Sequence, residues 1–224
     1  MEITKPYCCD ELMKKTVMDS AGKKIGHIGD LTFTLDKELK ISHFILAGPA
    51  WKEFLETIHL KPEHNHVFDS SAIKKIDKHI HLNITGNHLL TTMSKNTISD
   101  DKVKFSELEK LDIFDKDHEK IGRAIDVDLN IDGSVSIVVG GGFIEEKLEA
   151  IGLKDDIDIL VPSNIISSIH DSIQLSVSKN ELDTTLNGIL KEKAIKIQQA
   201  RKAGSSRGST GRERVVAFWP YVSK

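Results

Sequence analysis

The stretch Val17-Met18-Asp19-Ser20-Ala21-Gly22-Lys23-Lys24-Ile25-Gly26-His27-Ile28-Gly29-Asp30 decides the fold, because the chain writes its pattern twice. A shift of 96 residues sets Ile113-Phe114-Asp115 on Val17-Met18-Asp19, Lys120-Ile121-Gly122 on Lys24-Ile25-Gly26, and Asp126 on Asp30. Asp19 to Lys24 has the Asp, Ser and Gly of a tight turn between strands, and Asp115 to Lys120 stands in the same place. Beyond the turn, Leu31, Phe33 and Leu35 alternate with polar residues, as one buried strand face requires. Ile125, Val127, Leu129 and Ile131 repeat that alternation.

Farther out the match continues at a shift of 93, which pairs Trp51, Leu55, Ile58 and Leu60 with Ile144, Leu148, Ile151 and Leu153. Val67-Phe68, Ile73, Ile76, Ile80 and Leu82 then meet Leu160-Val161, Ile166, Ile169, Ile173 and Leu175. A single change of shift, where a hairpin is expected, is what duplication with a small loop deletion leaves. Each copy, about 75 residues long, therefore carries one set of elements. A third strand is predicted over Ile41 to Ala47 and over Val135 to Val139. An amphipathic helix follows, its stripe being Trp51, Leu55, Ile58 in one copy and Ile144, Leu148, Ile151 in the other. Two short strands, Val67-Phe68 and His79 to Ile84 or their counterparts, end each copy around a 3₁₀ or helical turn. So many short strands in so short a length are best closed on themselves, which removes exposed sheet edges. The predicted fold class is mostly β: two tandem small barrels, each with an inserted helix, then a C-terminal helix and tail. The expected divisions are 1–90, a linker at 91–103, 104–178, a helix at 179–203 and a flexible basic and aromatic tail at 204–224.

The run from Val17 to Asp30, together with the later Val161-Pro162-Ser163-Asn164-Ile165-Ile166, resembles the opening and closing strands of PRC-barrel domains. That family is named for the photosynthetic reaction centre H subunit and includes a domain of ribosome maturation factors and many archaeal proteins, some linked to cell division. The resemblance covers most of residues 10 to 178. Copy one departs from it at the closing Val-Pro, where it has Phe68-Asp69. The pattern sets turn and strand register and carries no chemistry, so the resemblance implies an interaction module without catalysis.

Charge is unevenly spread. The 224 residues carry a net −3, but those from Lys191 onward carry +7 and leave −10 on the first 190. An acidic body with a basic tail points to an anionic or acidic partner for the tail. No run of apolar residues is long enough for a membrane span, and Met1-Glu2-Ile3-Thr4-Lys5-Pro6 lacks the apolar core of a signal peptide. A cytoplasmic protein without membrane insertion is expected. The cysteines, Cys8 and Cys9, are neighbours and build no disulfide framework.

Ten histidines raise the question of metal, since His64 with His66, or His79 with His81, would share a strand face. The second copy has Ser172 and Gln174 in place of His79 and His81, so a solvated polar face is the better reading. Gly140-Gly141-Gly142 before a helix looks like a phosphate cradle, but no Walker lysine follows and Glu145-Glu146 would repel phosphate. Helix entry explains the glycines. No nucleophile elbow or triad spacing is present, and neither cofactor, metal nor enzyme activity is predicted. Phe54 stands where copy two has Lys147, and a solvent-facing aromatic there is a candidate contact with a partner.

After Val177, Ser178 and Glu181 form a capping box ahead of an apolar stripe of Leu182, Leu186, Ile189, Leu190 and Ile197. Gly204 to Gly211 then reads as a flexible linker. Beyond it, Arg212 and Arg214 precede Val215-Val216-Ala217-Phe218-Trp219-Pro220-Tyr221-Val222, a segment too apolar to stay in water. It either docks on a partner or folds back as a strand on a barrel. Arg207, Arg212, Arg214, Phe218, Trp219, Tyr221 and Phe54 are the candidate partner-binding residues. The expected function is a non-catalytic adaptor with a protein partner, possible settings being archaeal cell division or another cytosolic assembly. The alternative is an RNA- or ribosome-associated factor that sets arginines on phosphates and aromatics on bases.

Overall fold

The computed structural model describes residues 1–48, 66–93, 101–153, 157–202 and 213–217. The protein is mostly β, with 45% strand against 28% helix, in two multistranded sheets of which one is a half-barrel. The described chain falls into two compact units, Met1–Leu108 with Asp126–Val135, and Glu109–Ile125 with Ser136–Lys224.

The first unit begins with β1 (Glu2–Ile3), β2 (Tyr7–Cys8) and the short helix α1 (Cys9–Met13). The repeated motif supplies β3 (Thr16–Met18) and the long β4 (Lys24–Leu35), followed by β5 (Leu39–Ala47), β6 (His66–Asp69), β7 (Ile73–Ile76), β8 (Ile80–Leu82) and α2 (Gly86–Met93). β9 (Lys102–Lys104) and α3 (Phe105–Leu108) complete it. The sheet order is β1-β7-β8-β3-β4-β5-β6, with β9 also paired to β4. Leu31 and Phe33 are fully buried, and Phe44 stacks on Phe68, its cross-strand partner, at 5.5 Å between ring centroids. Such a pair contributes beyond the area it buries.

The second copy repeats this plan with β10 (Asp112–Phe114), β11 (Lys120–Leu129), β12 (Val135–Gly140), α4 (Gly142–Ala150), β13 (Ile157–Pro162), β14 (Ile166–Ile169) and β15 (Ile173–Leu175), all in the second unit except Asp126–Val135, which belongs to the first. The helix α5 (Lys179–Lys202) and β16 (Glu213–Val216) follow. Its sheet runs β14-β15-β10-β11-β12-β13-β16. The duplication holds residue by residue. Val17 pairs with Gly26 and, in parallel, with Ile80, while Ile113 pairs with Gly122 and with Ile173. A register shift follows both Val17 and Ile113. β4 and β5 are longer than β11 and β12, which locates the deleted residues in the hairpin between them.

The aspartate of the motif has the same task in both copies. Asp19 accepts the N–H groups of Ala21 (2.9 Å) and Lys23 (2.8 Å), closing the turn, and that of Gly86 (3.0 Å) at the start of α2. Asp115 accepts from Asp117 (2.9 Å), Glu119 (2.7 Å) and Lys179 (2.7 Å) at the start of α5. Each carboxylate thus closes a hairpin and satisfies a helix N–H that has no partner within the helix. Burial acts to raise both pKa values, but the three N–H donors outweigh it and hold both carboxyls below the ordinary range.

Several details differ from the sequence reading. Ile131 is exposed because β11 ends at Leu129 and a turn with Gly133 at φ +84° follows; Ile125 is exposed as well. The helix α2 was not foreseen, and it and β9 occupy the two ends of the segment read as a linker. Of the segment read as either docking on a partner or folding back as a strand, Glu213–Val216 forms a strand, where Val215 and Ala217 find burial. The stretch read as the amphipathic helix of copy one lies outside the described residues, whereas in copy two Ile144 and Leu148 of α4 are buried as expected. The capping box forms: Glu181 accepts the Ser178 N–H at 2.6 Å, and the Glu181 N–H donates to the Ser178 hydroxyl at 3.2 Å. The buried stripe of α5 comprises Leu182, Leu186 and Leu190, and Ile195 beyond it is exposed.

Candidate interaction surface

The C-terminal strand extends the second sheet. β16 pairs in parallel with β13, Glu213 opposite Ile157 and Val216 opposite Leu160, and the Ala217 N–H donates to the Leu160 carbonyl at 2.7 Å. Residues of a strand alternate between faces, so Val215 and Ala217 are buried while Arg214 and Val216 are exposed. β16 is the last strand of its sheet, and among the described residues no strand pairs with its outer edge. Such an edge is a template for further pairing.

A cleft of about 390 Å³ in the second unit is lined by Gly140, Gly141, Ile144 and Leu148 together with the charged Asp112, Lys120, Arg123, Glu145 and Asp158. Lys120 pairs with Asp112 at 2.7 Å. The glycines serve packing: a Cβ on Gly122 would lie 2.8 Å from the Gly140 carbonyl oxygen, and Gly141 and Gly142 have φ of +71° and +54°. Helix entry by close backbone approach accounts for the glycine run.

Of the residues singled out from the sequence, Arg214 lies exposed on β16. Phe54, Arg207, Arg212, Phe218, Trp219 and Tyr221 lie outside the described residues. The counterpart of Phe54, Lys147, does not face solvent. Its side chain is 13% exposed, bonds the Asp183 carboxylate and reaches the Asn187 side-chain oxygen at 2.8 Å, both on α5. In copy two this helix position therefore faces the C-terminal helix.

The cysteines are thiols held in place by packing. Burial pushes the Cys8 thiol up to about 12, with the nearby Asp126 carboxylate adding to the rise, and burial pushes fully enclosed Cys9 well above its ordinary value. The thiolate is the nucleophilic and metal-binding form of cysteine, and burial disfavours it at both positions. His79 and His81 meet edge to face, 6.1 Å between centroids, and His81 Nε2 lies 3.1 Å from Asp77. His64 lies outside the described residues, as does the side chain of His66. Among the described residues no group of three or more His, Cys, Asp or Glu is placed to hold a metal ion. Nor, among them, is any helix long and apolar enough to cross a membrane.

No protein-family model matches the chain, and no curated protein matches it.

Proposed function

We infer that the protein is a non-catalytic adaptor of PRC-barrel type, with two tandem small barrels that bind a protein partner together with the C-terminal tail. The observation that carries this reading is β16: it anchors the tail to the second sheet through Val215 and Ala217 and leaves Arg214, Val216 and an unpaired strand edge outward. The aromatic residues Phe218, Trp219 and Tyr221 follow immediately in the chain. An anchored strand followed by aromatics suits recognition by strand addition, in which main-chain bonds give affinity and aromatic anchors give specificity. A cytoplasmic assembly, such as that of archaeal cell division, is the setting the family resemblance implies. The second reading, an RNA- or ribosome-associated factor, draws on the exposed Arg214 and the basic sequence around it.

The deciding experiment is capture from lysate by the full chain and by a chain lacking residues 218–224, each with and without nuclease. Capture of one defined protein that resists nuclease and is lost with the aromatics supports the adaptor. Nuclease-sensitive capture that weakens steeply with salt supports RNA.

A further inference from the structure

The duplication supplies an internal control for which side chains the fold requires. The β7–β8 hairpin of the first unit and the β14–β15 hairpin of the second share one backbone register: Ile73 with Leu82, Lys75 with His81 and Ile76 with Ile80, against Ile166 with Leu175, Ser168 with Gln174 and Ile169 with Ile173. Both have their register shift at the same place. The apolar positions agree and the polar ones do not. Lys74, Lys75, Lys78 and His81 of the first hairpin stand where the second has Ser167, Ser168, Asp171 and Gln174. Folding of this hairpin therefore does not need the lysines or the histidine.

Lys74, Lys75 and His81 border a recess. It measures about 690 Å³ and is lined by Lys74, Lys75, His81, Ser20, Leu82 and Asn83, a size within the range of small-ligand pockets. Two carboxylates also border it. Asp19 is consumed internally by its three backbone N–H donors. Asp77 is ionised, the His79 N–H and the Lys75 and His81 side chains holding its pKa down at about 2 against the pull of burial. It draws Lys75 (3.3 Å) and His81 (3.1 Å) to one side of the recess, and Glu2 lies 3.7 Å from Lys75. Among the described residues Lys74 of the lining has no ion-pair partner, and Lys78, on the same hairpin but outside the lining, has none either.

The geometry points to a binding site for a small phosphorylated ligand, a phosphate monoester or an oligophosphate, held by Lys74, Lys75 and His81 with Ser20 and Asn83 as neutral donors. Lysines meet phosphate as mobile point charges, and an exposed hydroxyl and amide complete its acceptor shell. Among the described residues no Phe, Tyr or Trp lines the recess for a base to stack on, which favours a compact anion over a nucleic-acid strand. The site is independent of the adaptor reading and lies in the other unit from β16.

Calorimetry on the full chain with inorganic pyrophosphate and, separately, ribose 5-phosphate tests this, alongside the triple variant Lys74→Ser, Lys75→Ser, His81→Gln. That variant installs the residues the second copy has at the same register, and an unchanged thermal midpoint checks that it folds. One-to-one binding of either probe, weakened roughly tenfold or more in the variant, is expected; the tighter probe shows whether the natural ligand is an oligophosphate or an ester. Asp77→Asn keeps a side-chain acceptor for the His79 N–H but removes the competing charge, so it should tighten binding. No binding of either probe by the wild-type chain, equal binding by the triple variant, or binding of single-stranded RNA alone would each overturn the assignment.

Discussion

Asp30 reaches across to Ser106, seventy-six residues along the chain, accepting its hydroxyl at 2.7 Å and its backbone N–H at 3.3 Å. Its repeat counterpart Asp126 accepts the Cys9 N–H at 3.1 Å. β9 pairs with β4, and β2 pairs with Asp128 and Leu129 of β11, so the leading strand of each copy is added to the long strand of the other. All of these contacts lie within the first unit.

Removing the Asp30 carboxylate strands the donors of Ser106. Asp30→Ala is expected to lower unfolding free energy by about 2 kcal/mol, and Ser106→Ala by about 1 kcal/mol. In a double-mutant cycle by urea denaturation, the combined variant should lose less than the two single losses together, since both remove one interaction. Additive losses would show that the pair contributes nothing as a pair.

The motif aspartates set the response to acid. Asp19 and Asp115 have folded pKa values below the unfolded value near about 4, so their stabilisation is complete above it and is lost as pH falls through the folded values. Asp126 behaves in the opposite sense. Burial raises its pKa, so its contribution is present at low pH and is lost as pH rises through the folded value. Asp115→Asn is expected to cost about 2 kcal/mol or more at pH 7 and to flatten the loss of stability below pH about 4, because Asn carries no charge for its three donors. Asp126→Asn should be better tolerated at pH 7. Urea titrations over pH check both, and equal costs for the two variants would contradict the assignment.

His118 has φ +64° where the first copy has Gly22 at φ +77°, in a turn of the same form. A side chain in the left-handed region costs about 1 kcal/mol or more, partly offset by the extra freedom glycine has when unfolded. His118→Gly is therefore expected to stabilise the chain by about 0.5 kcal/mol in thermal or urea unfolding. Gly22→His should destabilise it. A loss of stability in His118→Gly would mean that the imidazole makes contacts worth more than the strain.

The duplicated frame was legible because its signals are local and written twice: the Asp-Gly turn, the alternation at Leu31 and Phe33, and the capping box at Ser178. Ile131 misled, because alternation continues in the sequence past the point where β11 ends, and Ile125 misled because within β11 it is its neighbour Ala124 that is buried. The tie of Asp19 to α2 and of Asp30 to Ser106 had no sequence signal, since hydrogen bonds across sixty-seven or seventy-six residues leave no periodicity. For the surface, charge singles out Arg214, but the burial of Lys147 against Asp183 has no sequence signal, since alignment with Phe54 gives no information about what α5 covers. The cationic recess was legible in principle. The comparison of polar positions that sets His79 and His81 against Ser172 and Gln174 also separates Lys74 and Lys75 from Ser167 and Ser168.

The tail has two parts with separable roles. Val215 is 3% exposed and Val216 37%, although they are neighbours, so a strand that is part of the sheet predicts unequal costs. Val215→Ala removes buried apolar surface and should lower stability by about 1.5 kcal/mol, while Val216→Ala should change little. Deleting residues 213–224 should lower the thermal midpoint, and deleting 218–224 alone should lower it less, since β16 is then kept. Partner capture is expected to follow the other part. Trp219→Ala should weaken it about thirtyfold, equivalent to about 2 kcal/mol for a buried aromatic anchor, with Arg212→Ala and Arg214→Ala costing less at the rim. If instead Trp219→Ala destabilises the fold as much as Val215→Ala and leaves capture intact, the aromatics are core, and the unpaired edge of β16 becomes the surface the partner meets.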